Sequence, residues 1–208
     1  MNRRGWAWPL LAGLMLASTA WQAARGVDGY AHARHALALL GSTGAAGWRL
    51  ANLGLFVLPG ALMAVQALAL RARQSPTTPW VLRLGLQAAL LAALGHALQG
   101  VCNLDSTQLP DAGDNRLHAL AWMLWWVGLA TSGALLAAAR GLPAHLRLGA
   151  AAMTLCIPVL MLAAPALDMA AIGHRLGIAL WLGWSAWLGA TLSRGAASSP
   201  GCSAKGRR

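Results

Sequence analysis

The chain has 208 residues, 58% of them hydrophobic and only 10% charged, with no glutamate, whereas an average soluble domain carries roughly 25% charged residues. Helices of a soluble domain need a polar face, and several long stretches here have none, which excludes an ordinary soluble fold. The formal charge is +11, but the basic residues flank apolar segments and no aromatic–basic interleaving is present, so nucleic acid is excluded in favour of membrane topology and anionic headgroups.

Six apolar stretches predict an all-α polytopic membrane protein, a six-transmembrane-helix bundle over residues 1–195, because about 20 apolar residues span a bilayer core. The first is Trp6–Ala23. The preceding Asn2-Arg3-Arg4 and the small residues at its end also suit a cleaved signal peptide. Trp6, Trp8 and Trp21 favour a retained signal anchor with interfacial aromatics. An outer loop from Ala24 to Gly47 follows, in which Tyr30–Leu40 is expected to form a short interfacial helix.

Trp48–Leu70 is the second span, ended by the inner turn Gln74-Ser75-Pro76-Thr77-Thr78-Pro79. Val81–Val101 is the third. Its small residues recur every fourth position, Gly85, Ala89 and Ala93 in one row and Ala88, Ala92 and His96 in the next, which permits close helix approach and places His96 on a protein-facing side. The polar stretch HALQGVCNLDSTQLPDAGDNRLH (His96–His118) then leads into the fourth span, Leu117–Ala139. Gly141-Leu142-Pro143 turns the chain into the fifth, Leu148–Ala164, which Pro158 is expected to kink. The sixth is Gly173–Ser193, and residues 196–208 read as a disordered basic cytoplasmic tail. Trp122, Trp125 and Trp126 on the fourth span and Trp181, Trp184 and Trp187 on the sixth fall at helical spacing, which suits packing or interface anchoring.

With the N-terminus inside, the cytoplasmic segments hold eleven Arg or Lys residues against five in the outer ones, and all five aspartates lie outside. This is the sense of the positive-inside rule, and it puts both termini in the cytoplasm. The three cysteines, Cys102, Cys156 and Cys202, form no CxxC, and no disulfide is expected.

The polar residues gather towards one rim. His96 lies about 7 Å below the outer end of its span at 1.5 Å per residue. Asn52 sits at a similar depth, and Asp105, His118, His174 and Asp168 lie at or just above the same outer rim. Intramembrane polar groups face a bundle interior or a cavity, since lipid cannot satisfy them. One reading is a pocket for a lipid headgroup or small amphiphile, lined by Asn52, His96, Asp105, His118 and Arg175. A second is a zinc site of Asp105, His118 and His174 (with His96) activating water for hydrolysis. A third is structural, with Asp105 pairing with Arg116 or capping a helix and the histidines donating hydrogen bonds between helices. His32 and His35, the lone HxxH, read as a solvated loop pair. Haem lacks an axial pair at matched depth, and ion-coupled transport lacks a mid-membrane carboxylate. No tightly bound cofactor is expected, membrane lipids are the expected partners, and an enzyme is the less favoured alternative, as is a structural partner in a membrane complex.

The segment LLGSTGAAGWRLANLGLFVLPGAL (Leu39–Leu62) resembles the start of the bacterial membrane proteins grouped as domain of unknown function 998. Asn52 and Pro59-Gly60 match an asparagine and a Pro-Gly pair of that family. In GVCNLDSTQLPDAGDNRLHALAW, Asp105 and His118 take the places of its aspartate after the third helix and its histidine opening the fourth. Where that family often has an acidic-Arg pair before the sixth span, this chain has His174-Arg175. The resemblance implies six helices in a bacterial inner membrane and no established activity. A fainter likeness of layout links the pattern to eukaryotic six-helix proteins of the damage-regulated autophagy modulator type, which implies a regulatory or lipid-related role.

Overall fold

The computed structural model describes residues 5–109 and 111–195, the last two by backbone alone. Arg3 and Arg4 of the topology argument, the 196–208 tail and Cys202 lie outside the described residues. Six long helices and no strand are present among the described residues: α1 (Ala7–Ala24), α2 (Trp48–Ala72), α3 (Trp80–Val101), α4 (Gly113–Ala138), α5 (Ala144–Ala166) and α6 (Ala170–Gly195). Each begins and ends within about one helical turn of the stretch predicted from hydropathy. Five of them, α2 to α6, are long and apolar enough to cross a membrane. The 18-residue α1 falls outside that group, its apolar run being diluted by Pro9, Ser18, Thr19 and Gln22.

Helices α2 to α6 pack each against the next in chain order, and α1 closes the ring between α2 and α6. Small residues set these approaches. A Cβ added at Gly95 would sit 2.6 Å from the backbone nitrogen of Trp125, and one at Gly60 would sit 2.6 Å from that of Ala97. Such contacts let backbones meet where no hydrophobic force separates helix from lipid. The interior is filled by Phe56, Trp125 and Trp181, each at most 2% exposed. Leu14, Leu50, Leu148 and Leu155 are by contrast at least 70% exposed. An exterior of that kind suits acyl chains and not water.

Helix α2 carries an irregularity that matters for everything above it. Residues Leu53–Val57 form a π-helical turn between the regular segments Trp48–Asn52 and Leu58–Ala72. Pro59 follows at once. In a regular helix the N–H of residue 59 would donate to the carbonyl of Leu55, and proline has none to give.

One local expectation is corrected. Tyr30–Leu40 contains no interfacial helix, only a 3₁₀ turn at Leu37–Gly41. Its would-be helical carbonyls are taken by side chains instead: Tyr30 Oη lies 3.3 Å from the Ala36 oxygen, and Arg175 Nη1 donates to the His35 oxygen at 3.0 Å. Helix α5 runs continuously through both Pro158 and Pro165.

The close approach at Gly95 yields a paired prediction. Gly95→Val should destabilise the bundle by about 1–3 kcal/mol, the usual cost of overpacking. Gly183→Ala should be neutral or slightly stabilising, because a Cβ there meets nothing within 4 Å and alanine is the better helix former. Thermal unfolding in mild detergent compares the two.

Candidate functional site

The rim end of the bundle is where α3 finishes, α2, α4 and α6 begin, and the loops 25–47 and 102–112 meet. His96 on α3 is wholly buried, and its Nε2 lies 3.1 Å from the Leu55 carbonyl that Pro59 leaves without its regular donor. A carbonyl can only accept, so Nε2 carries the proton, and in the neutral ring Nδ1 is a bare lone pair. Aromatic rings enclose it: Phe56 at 5.4 Å, Trp125 at 5.8 Å and Trp181 at 5.0 Å between centroids. His174 on α6 packs edge-on against Trp125 at 5.3 Å.

His118, one turn into α4, sends Nδ1 to the carbonyls of Gln99 and Cys102, both at 2.9 Å. The end of α3 has orphan carbonyls like any helix, and here a side chain of the next helix satisfies them. Asn52, also buried, donates through Nδ2 to the Gly41 carbonyl at 2.8 Å and to Asn103 Oδ1 at 3.0 Å. It ties α2 to both rim loops. The loops are further stitched by Thr43 N–H to the Leu104 carbonyl at 2.8 Å and by Ser106 N–H to Ser42 Oγ at 3.1 Å.

Asp105 is turned away from this interior. Its carboxylate accepts from Thr107 N–H at 2.9 Å, Thr107 Oγ1–H at 2.6 Å and Gln108 Nε2–H at 2.8 Å. The Thr107 bonds hold its pKa below the ordinary carboxylate value. The expected pairing with Arg116 or helix cap is therefore corrected to a turn within its own loop. Asn115 anchors that turn from α4, accepting from Asp105 N–H at 2.7 Å and donating to the carbonyls of Asp105 and Leu109 at 2.9 and 3.1 Å. Burial pushes the neighbouring Cys102 thiol up, and Asp114 adds to that, so it stays a thiol near neutrality.

Arg175 belongs to a separate constellation. Its Nη1 donates to the carbonyls of His35 (3.0 Å) and Ala171 (2.9 Å), and its Nη2 to Tyr30 Oη at 2.6 Å. All three acceptors are neutral, and the Nε–H and one Nη2–H of the guanidinium's five donors are left over. Burial raises the Tyr30 pKa, while Arg175 pulls it the other way. The partners in this contact line two separate hollows. A cleft of about 530 Å³ between the rim loops is lined by Asp28, Tyr30, His35, Ser42, Thr43, Ser106 and Thr107, among others. A groove of about 260 Å³ between α1 and α6 is lined by Gly13, Leu16, Leu37, Ile178, Leu182 and Arg175 itself.

The sequence-derived pocket is thus redistributed. His96 and His118 share one interior cluster and Asn52 braces the loops beside it. Asp105 is a turn residue of its own loop, and Arg175 lines another hollow. The zinc set is corrected as well: no group of three His, Cys, Asp or Glu side chains is gathered for a metal among the described residues, so Asp105, His118 and His174 do not form one ligand set. His118 Nδ1 is spent on backbone, and Asp105 is spent on its own loop. Of the HxxH pair, His35 accepts the Ala31 N–H through Nδ1 at 2.8 Å and packs on Tyr30.

Three residues escaped sequence reasoning. Asn115 and Tyr30 sit where polarity is ordinary and carry no signal. Gln66 did carry one, as a lone amide deep in an apolar span; it is 3% exposed and donates to the carbonyls of Gly5 and Ser185, both at 2.8 Å, joining α2 to α6 and the start of α1. The chain matches no family model, no curated protein and no solved structure.

Two outcomes are expected. Asn115→Ala should destabilise the 102–112 loop by about 1–3 kcal/mol, since backbone groups of the loop lose their partner; hydrogen exchange there should accelerate while the α3 core is unchanged. Asp105 has a depressed folded-state pKa, so the turn it holds is fully formed above the unfolded value of about 3.9 and is lost as pH falls through the folded value. Loop protection, taken as exchange relative to the intrinsic amide rate at each pH, should therefore fall at acid pH in the wild type to that of Asp105→Asn, which should be flat across the same window.

Proposed function

We propose that the protein is a multi-pass protein of the bacterial inner membrane that binds a lipid or small amphiphile at the outer leaflet. The polar head occupies the cleft between the rim loops, and the tail lies in the groove between α1 and α6. The observation that carries this reading is Arg175. It lines the apolar groove and bonds Tyr30 and His35 of the cleft, and among the described residues its hydrogen bonds go to neutral oxygens only. A partly buried cation without a carboxylate favours an anionic group, and the two unspent N–H donors suit a phosphate or carboxylate oxygen. A cleft carrying polar side chains, bridged by Arg175 to an apolar groove, suits an amphiphile.

The orientation belongs to the same proposal. The excess of arginine and lysine in the loops opposite the rim supports a cytoplasmic location for both termini. The docking of α1 between α2 and α6 supports its counting as a sixth span. The resemblance to the domain-998 proteins agrees with this layout and adds no activity. A hydrolase is not favoured, because the residues it needed do not meet.

Native mass spectrometry of the full chain, purified from membranes in mild detergent, tests the reading. The wild type should retain an anionic lipid. Arg175→Gln should lose it by about tenfold in occupancy, the loss expected for one charge-assisted hydrogen bond, with Arg175→Lys intermediate. Ala179→Phe, which fills the groove and leaves the guanidinium alone, should also displace it. Equal retention by all four chains at equal melting temperature would overturn the proposal.

A further inference from the structure

The interior cluster behind the rim has a feature that its packing role does not explain. His96 Nδ1, both ends of the Gln99 carboxamide, Trp125 Nε1 and His174 Nε2 are buried, and none finds a hydrogen-bond partner among the described residues. His96 and Trp125 are 0% exposed and Gln99 is 1% exposed. The residues come from α3, α4 and α6 and lie against one another: His96 and Trp125 centroids are 5.8 Å apart, Trp125 and His174 5.3 Å, and Gln99 is one turn from His96 on the same buried face. Native proteins leave few buried polar groups unpaired, and inside a lipid-facing bundle bulk water cannot reach to satisfy them.

We propose that this cluster is a binding site for a neutral hydroxyl oxygen, enclosed by α3, α4 and α6 and distinct from the Arg175 groove. The donor and acceptor inventory selects that chemistry. His96 Nδ1 can only accept, because its Nε2–H is committed to the Leu55 carbonyl. Trp125 Nε1 can only donate, and the Gln99 amide does both. A metal ion would leave the indole and amide N–H groups unsatisfied, and an anion would meet the His96 lone pair with no cation to balance it. A hydroxyl donates once and accepts twice, which serves three of the five groups: the His96 Nδ1 lone pair, the Trp125 indole N–H and a Gln99 amide N–H. It can arrive as an enclosed water molecule or as the hydroxyl of a lipid whose body threads between helices.

The test uses the full chain in detergent, with X-ray radiolytic labelling and native mass spectrometry run side by side. Enclosed water generates hydroxyl radical in place, so Trp125 and Trp181 should be oxidised despite their burial, with no retained molecule of higher mass. A lipid hydroxyl should instead give a retained neutral lipid and little labelling. Gln99→Leu should abolish whichever signal the wild type shows and leave anionic lipid bound at Arg175, while Arg175→Gln should do the reverse. Should Gln99→Leu fail to accumulate, Trp125→Phe removes one donor and keeps the ring bulk, with Trp181 as the labelled probe. A wild type with neither labelling nor a retained neutral lipid overturns the proposal. So does a signal that survives in a folded Gln99→Leu chain.

Discussion

The contact between the Leu55 carbonyl and the His96 ring is the constraint on which the rim end of the bundle depends. Pro59 withholds the N–H that a regular helix would place on that carbonyl, and the π-helical turn Leu53–Val57 displaces the backbone around it. In lipid such a group needs a protein partner, and His96 supplies one from α3. The bond sets the ring's tautomer, holds α2 against α3 and places the imidazole between Phe56, Trp125 and Trp181. Gly60, next to the proline, lets the two backbones come close enough for it.

The other polar side chains repeat this logic. His118 caps the end of α3, Asn52 clasps a loop carbonyl, Gln66 joins α2 to α6, and Ser132 donates to the Gly85 carbonyl at 2.8 Å. Each bridges an α-helix to backbone elsewhere, so polarity in this apolar chain chiefly serves to register helices. Two places break the pattern. Arg175 holds a net charge among neutral acceptors, and the Gln99 amide holds none of the bonds it could make. These are the two positions on which the proposed binding sites rest.

The resemblance-bearing residues Asn52, Pro59-Gly60 and His118 turn out to be the ones that shape the rim. They do so through backbone carbonyls, not through a shared pocket. Asp105 shows why the sequence misled. An aspartate beside a histidine in a polar loop looks like a ligand pair, yet Thr107 and Gln108, two and three residues on, satisfy it locally. Local turns of this kind compete with long-range roles for a short polar side chain.

Hydropathy by itself determined the all-helical class and the positions of the six helices to about a turn, because the length of an apolar run depends only on its own residues. It also marked His96 as protein-facing, through the small residues that share its row. Tertiary structure alone decided which polar groups meet. Arg175 reaches Tyr30 across a separation of 145 residues. His96, Trp125 and His174 converge from three helices, and Asp105 is drawn away from His118. Such convergence depends on helix rotation and loop path, which are set by the packing of side chains from distant parts of the chain. No single stretch of sequence contains that information.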